Sequence, residues 1–260
     1  MIKKLILLDL PQELINLIAI YSKNLEFCVE FAEHYTIKKV YNKKIHHSVY
    51  LLYKNNLTLI EILLKQKKLR NTQELLNRAM HVNNFPIAKL LLEQGVDVSE
   101  NGKTLLMYSA ANNRLNMVKI LVEYGCDPAA DQNKIIQIAS EHGNIDIVRY
   151  LLELHKRYRI STAPRQHHAF RAAAERGYHE IVEIFLNPPK SYKKSVNINA
   201  QLGYAVRMAA RNGHEKVVAV LIQYGADLTH YGNLALRLAA ESNHLNICKL
   251  LIDAMLPNAE

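Results

Sequence analysis

Histidine and cysteine are the side chains of this sequence best able to ligate a metal or act as nucleophiles, and there are 12 and 3 of them. A structural zinc site draws on ligand pairs held at short, regular spacing. Cys28, Cys126 and Cys248 stand far apart, and none belongs to a Cys-x-x-Cys pair. The neighbours His46-His47 and His167-His168 would point in different directions on a helix, with no cysteine or carboxylate at ligand spacing. No phosphate-cradling glycine loop, Gly-x-Ser-x-Gly elbow or His-Glu-x-x-His pair is present. These residues imply no catalytic group, no metal and no cofactor. The histidines read as solvent-facing or capping groups, and Cys126 and Cys248 as small core residues.

Charge is the other feature that implies a partner. Lys and Arg number 33 against 24 Asp and Glu, a net charge of +9. Lys156, Arg157, Arg159 and Arg165 form one basic stretch with Tyr158 among them, and Lys190, Lys193 and Lys194 form another with Tyr192. No Asp or Glu occurs between Leu154 and Ala169 or between Asn187 and Ala200, and Lys38, Lys39, Lys43 and Lys44 make a third run. Basic loops with interleaved Tyr bind nucleic acid or acidic protein segments. Simply solvated loops share that composition, and no RNA- or DNA-binding motif accompanies these.

The elements that carry these residues are helical. With 49% apolar and 22% charged residues, 9 Gly, 7 Pro and no Trp, the composition fits long regular elements joined by short connections. The opening Met-Ile-Lys-Lys and Leu5–Leu8 are followed by Asp9 and Pro11, too soon for a signal-peptide core. No stretch approaches the ~18 apolar residues that cross a bilayer. Unpaired cysteines and the lack of a leader suggest a reducing, cytoplasmic setting.

Internal repetition organises the rest. Ala139 to Leu152 (Ala-Ser-Glu-His-Gly-Asn-Ile-Asp-Ile-Val-Arg-Tyr-Leu-Leu) aligns with Ala209 to Ile222, and related segments start at Leu51, Ala79, Ser109, Ala173 and Ala239. The shared turn position holds Asn55, Asn83, Asn113, Gly143, Gly177, Gly213 and Asn243, at spacings of 28, 30, 30, 34, 36 and 30 residues. Gly and Asn are the residues that best tolerate the left-handed backbone of a tight helix-to-helix turn. Small residues precede the turn, and an Ile-Val-x-x-Leu-Leu stripe at helical spacing follows it. Gly95, Gly125 and Gly225 lie twelve residues beyond a turn and suit a helix C-terminus. The two units lacking that glycine precede the spacings of 34 and 36, so lost caps coincide with longer loops.

This pattern resembles the ankyrin repeat over roughly residues 45 to 256. Thr104-Leu105-Leu106-Met107-Tyr108-Ser109-Ala110 stands nearest the family's Thr-Pro-Leu-His-x-Ala-Ala. Elsewhere Arg171, Arg207 and Arg237 replace the family's His, a 30-residue variant that looks like the ankyrin families of giant amoebal viruses; amoeba-infecting bacteria carry comparable proteins. The resemblance implies an all-α solenoid of about seven helix-turn-helix repeats that acts by protein binding, as a monomer without catalysis. The three arginines read as a ladder that bonds neighbouring loop carbonyls or, alternatively, as an anion-binding stripe. Expected partner contacts, taken as exposed first-helix ends, are Glu141, His142, Glu175, Arg176, Arg211, Asn212, Glu241 and Ser242.

Residues 1–45 do not fit the repeat, which starts a second domain at 46. Leu10-Pro11-Gln12-Glu13-Leu14 with Ile18 is similar to the opening of an F-box, a helical module that docks on the Skp-type adaptor of a cullin ubiquitin ligase. That resemblance implies adaptor contact by Leu10, Pro11, Glu13, Leu14 and Ile18, and delivery of the bound protein to a host ligase in the host-cell cytoplasm. An F-box usually carries a Trp later, and this chain has none. The alternative is a helical cap on the solenoid, leaving a plain binding scaffold or competitive inhibitor. Binding of nucleic acid or an acidic partner by the basic loops stands third.

Overall fold

Helix pairs that reverse at a left-handed residue make up the computed structural model, which describes residues 57, 60, 61, 64, 72–160, 164–190, 192 and 196–256. Thirteen helices are delimited among the described residues, and no strand accompanies them there. The pairs are α1 (Thr72–His81) with α2 (Phe85–Glu93), α3 (Gly102–Ala111) with α4 (Leu115–Glu123), and α5 (Ala130–Glu141) with α6 (Ile145–Glu153). A short α7 (His155–Tyr158) follows. Then come α8 (Pro164–Glu175) with α9 (His179–Leu186), α10 (Ala200–Arg211) with α11 (Glu215–Gln223), and α12 (His230–Glu241) with α13 (Leu245–Met255). No helix among the described residues is long and apolar enough to cross a membrane.

Two compact units divide after Asp97. The first contains the α1–α2 hairpin, whose Leu75, Leu76, Ile87 and Leu91 are fully buried. In the second, α3, α5, α8, α10 and α12 pack each on the next as one layer, and α4, α6, α9, α11 and α13 form the other. The architecture is thus an all-α repeat stack. Ala139, Ala173, Ala209 and Ala239 have no exposed surface, which lets successive first helices approach closely. Val148, Leu151, Val218 and Leu221 are equally buried from the second-helix side. Full burial of one such side chain stabilises by roughly 1.5–3 kcal/mol.

Each hairpin turn follows one local recipe. Asn83, Asn113, Gly143, Gly177, Gly213 and Asn243 have φ of 59°, 55°, 73°, 86°, 80° and 59°. At Gly177, the Tyr178 amide donates to the Ala173 carbonyl (2.9 Å) and the Gly177 amide to Ala174 (3.3 Å), a Schellman-type closure. Tyr178 itself has φ −80° and ψ 73°, an inverse γ-turn that aims the chain into the next helix. Second helices end likewise at Gly95, Gly125 and Gly225, with φ of 83°, 97° and 80°. Asn55 and residues 1–45 lie outside the described residues.

First-helix entry was not foreseen from the sequence. Asn133, His167, Gly203 and Asn233 are left-handed, with φ of 60°, 63°, 71° and 62°, immediately before the helix proper. Asp131 and Gln132 extend this to three consecutive left-handed residues. Non-glycine residues there carry a strain of order 1–2 kcal/mol each. α3, whose Thr104–Met107 lies nearest the ankyrin motif, has no left-handed residue at its start.

The longer loops are also ordered by specific contacts. Ile160 is fully buried and Tyr192 only 3% exposed. Tyr192 meets the His155 ring edge-on at 4.7 Å, so the two insertions pack against each other.

Candidate functional site

At three turns, the residue after the turn links its unit to the one before it. Asn144 donates from Nδ2 to the Ala110 and Ala111 carbonyls. His214 Nε2 lies 2.9 Å from the Glu175 carbonyl and His244 Nε2 3.0 Å from that of Arg211. A carbonyl only accepts, so each imidazole carries its proton on Nε2. These carbonyls end first helices and lack partners within the helix, which is the reason a side chain from the next unit serves them. Sequence reasoning passed over this position because its residue type varies. The signal was its fixed place one residue beyond the turn.

The residues expected to contact a partner divide between exposed and engaged groups. His142, Arg176, Arg211, Asn212 and Glu241 are exposed at the first-helix ends. Glu141, Glu175 and Ser242 are half-buried, not exposed as expected; over Glu141 and Glu175 the following units reach with His168 and Tyr204. The Glu141 carboxylate pairs with His168 at 3.6 Å, and Glu175 accepts a 2.8 Å bond from the Tyr204 hydroxyl. Burial, then that bond, push the Tyr204 phenol above its ordinary pKa. Asn212, although exposed, donates to the Glu175 carbonyl at 2.8 Å.

Of the arginine ladder, Arg171 donates to the Gln201 side chain of the following unit and lies 5.0 Å over the Tyr204 ring. Arg207 donates to the Gln201 carbonyl at 3.0 Å, within its own unit, and Arg237 is exposed. A bridging role between units therefore belongs to Arg171, through a side chain and a ring instead of a loop carbonyl.

Lys156, Arg157, Arg159 and Lys190 are exposed, while Tyr158 is half-buried beneath the Arg157 guanidinium at 5.1 Å. Cys126 is buried, and desolvation pushes its thiol up to about 11, far from a reactive thiolate. Cys248 is half-buried. Among the described residues, no group of three or more His, Cys, Asp or Glu is placed to hold a metal ion. Leu10, Pro11, Glu13, Leu14 and Ile18 lie outside the described residues.

What this arrangement supplies is a bonded framework presenting polar side chains of mixed charge. The family model described as ankyrin repeats (3 copies) matches residues 45–132, 76–162 and 170–260. No curated protein sequence matches the chain. Ankyrin repeats are protein–protein interaction modules. With the helix pairs, the turn geometry and these matches together, the chain belongs to the ankyrin-repeat family.

Proposed function

We propose that the chain captures a protein partner on the first-helix ends of its repeats, with Arg176, Arg211 and Glu241 at the centre. His142, Asn212 and Ser242 extend the surface, and Glu141 and Glu175 hold its frame. The observation that carries this reading is the contrast at one register. Turn geometry repeats from unit to unit and the clamp recurs at Asn144, His214 and His244, while Glu141-His142, Glu175-Arg176, Arg211-Asn212 and Glu241-Ser242 differ in charge. A repeated backbone with varied exposed tips is suited to one specific polar surface. The test is affinity capture from eukaryotic lysate with wild type and the Arg176→Glu, Arg211→Glu variant. Loss of a reproducible partner in the variant, with the helical spectrum unchanged, supports the surface. Undiminished capture rejects it.

A second part concerns residues 1–45, taken as a head preceding a repeat domain at 46–260. What supports docking of a Skp-type adaptor there is Leu10-Pro11-Gln12-Glu13-Leu14 with Ile18, whose Pro suits a helix start and whose Leu14, Leu17 and Ile18 share one face. The partner would then be delivered to a host ubiquitin ligase in the cytoplasm, as the likeness to viral ankyrin families suggests. Leu10→Ala with Pro11→Ala should abolish adaptor capture and leave the repeats folded. Equal capture by both proteins rejects the motif. A wild type that captures no adaptor leaves the head as a cap, and deleting residues 1–45 should then lower stability.

A further inference from the structure

We propose that the two lengthened loops together form a second docking surface, fitted to an Asp- and Glu-rich segment of a protein partner. The inference rests on the protein-recognition reading and gives it a partner chemistry. The loops are separate in sequence, but the His155–Tyr192 ring contact at 4.7 Å joins them. Ile160 at 0% and Tyr192 at 3% exposure anchor them, and the Tyr192 amide donates to the Pro189 carbonyl at 2.7 Å. Lys156 follows His155 directly, and Lys190 lies two residues before Tyr192, within roughly 7 Å of backbone.

The surface so formed is exposed and positive. Lys156, Arg157, Arg159 and Lys190 all face solvent, and none is in an ion pair among the described residues. The loops themselves contain no carboxylate. Glu123 and Glu153, on the neighbouring second helices, form no ion pair with Arg157 among the described residues. Four exposed cations on joined loops attract an anionic chain and lose that attraction as salt screens them.

An acidic protein segment fits better than single-stranded nucleic acid, which binds sequence-tolerantly by stacking bases on free aromatic faces. Tyr192 is buried against His155. Tyr158 is covered by Arg157, and its hydroxyl donates to the Val122 carbonyl at 3.5 Å. Neither ring offers a stacking platform.

Fluorescence anisotropy of the full chain tests this with a labelled Glu-rich peptide and a single-stranded RNA of equal length. The wild type should bind the peptide at low salt and release it as salt rises. Lys156→Glu with Arg157→Glu and Lys190→Glu should weaken that binding at least about tenfold. The same reversals at Lys89, Lys216 and Lys249, exposed on second helices, should change it less than about twofold. Absence of peptide binding, equal loss in both variants, or tighter binding of the RNA would each overturn the proposal. Partner capture by the first-helix ends that persists in the loop variant separates failure here from failure of the repeat reading.

Discussion

The His214 imidazole donates from Nε2 to the Glu175 backbone carbonyl at 2.9 Å, so a side chain of one unit closes the first helix of the unit before it. Asn212 donates to the same carbonyl at 2.8 Å. Either change alone, His214→Ala or Asn212→Ala, should cost about 1 kcal/mol in urea unfolding, because the carbonyl keeps one donor. The double variant should cost at least about 0.5 kcal/mol more than the sum. Strict additivity would show that the two bonds do not share one acceptor energetically.

Gly177 and Gly225 separate backbone strain from crowding. Their φ values are similar, 86° and 80°. A Cβ on Gly225 meets nothing within 4 Å, but one on Gly177 would lie 2.7 Å from His214 Nδ1. Gly225→Ala should cost about 1–2 kcal/mol from the left-handed backbone alone. Gly177→Ala should cost about 1–3 kcal/mol beyond that, since the clamp ring must move. Equal midpoints and slopes in denaturant unfolding would contradict the crowding argument.

Leu151 and Leu221 sit in the core between units with no exposed surface. Leu151→Ala and Leu221→Ala should each destabilise by about 2–5 kcal/mol, measured by denaturant unfolding. Near-neutral effects at both would mean that the packing of second helices contributes little.

Cys126 gives a pH dependence with a fixed sign. Its folded-state pKa, raised by burial to about 11, exceeds that of an exposed thiol. The folded state therefore holds the proton more tightly. The stability this contributes is complete below the unfolded-state pKa and is lost as pH rises from about 9 towards 11. Wild type should lose on the order of 1–3 kcal/mol more than Cys126→Ala across that window, compared by urea unfolding at each pH. Parallel profiles would place the thiol in contact with water.

The turns were legible because only Gly or Asn stood at the shared position, and left-handed backbone restricts residue choice locally. Gly95, Gly125 and Gly225 were legible for the same reason. The left-handed first-helix entries were not, since no single residue type marks that position, which holds Asn133, His167, Gly203 and Asn233. The clamps escaped notice because Asn144, His214 and His244 bond carbonyls more than thirty residues away. Half-burial of Glu141 and Glu175 depends on His168 and Tyr204 of following units, and the burial of Tyr192 on a ring in another loop. Periodicity reveals which faces meet; it does not reveal which polar groups cross between units.

Partner capture by the first-helix ends is the central claim, and quantitative affinity purification with mass spectrometry tests it most directly. Wild type is compared with Arg176→Glu, Arg211→Glu and with a control reversing Lys216 and Lys249, exposed cations of the second helices. The account predicts one reproducible protein partner, retained by the control and depleted at least about tenfold by the first-helix variant while its unfolding midpoint stays that of the wild type. A partner recovered equally with all three proteins, or lost equally from both variants, would contradict it.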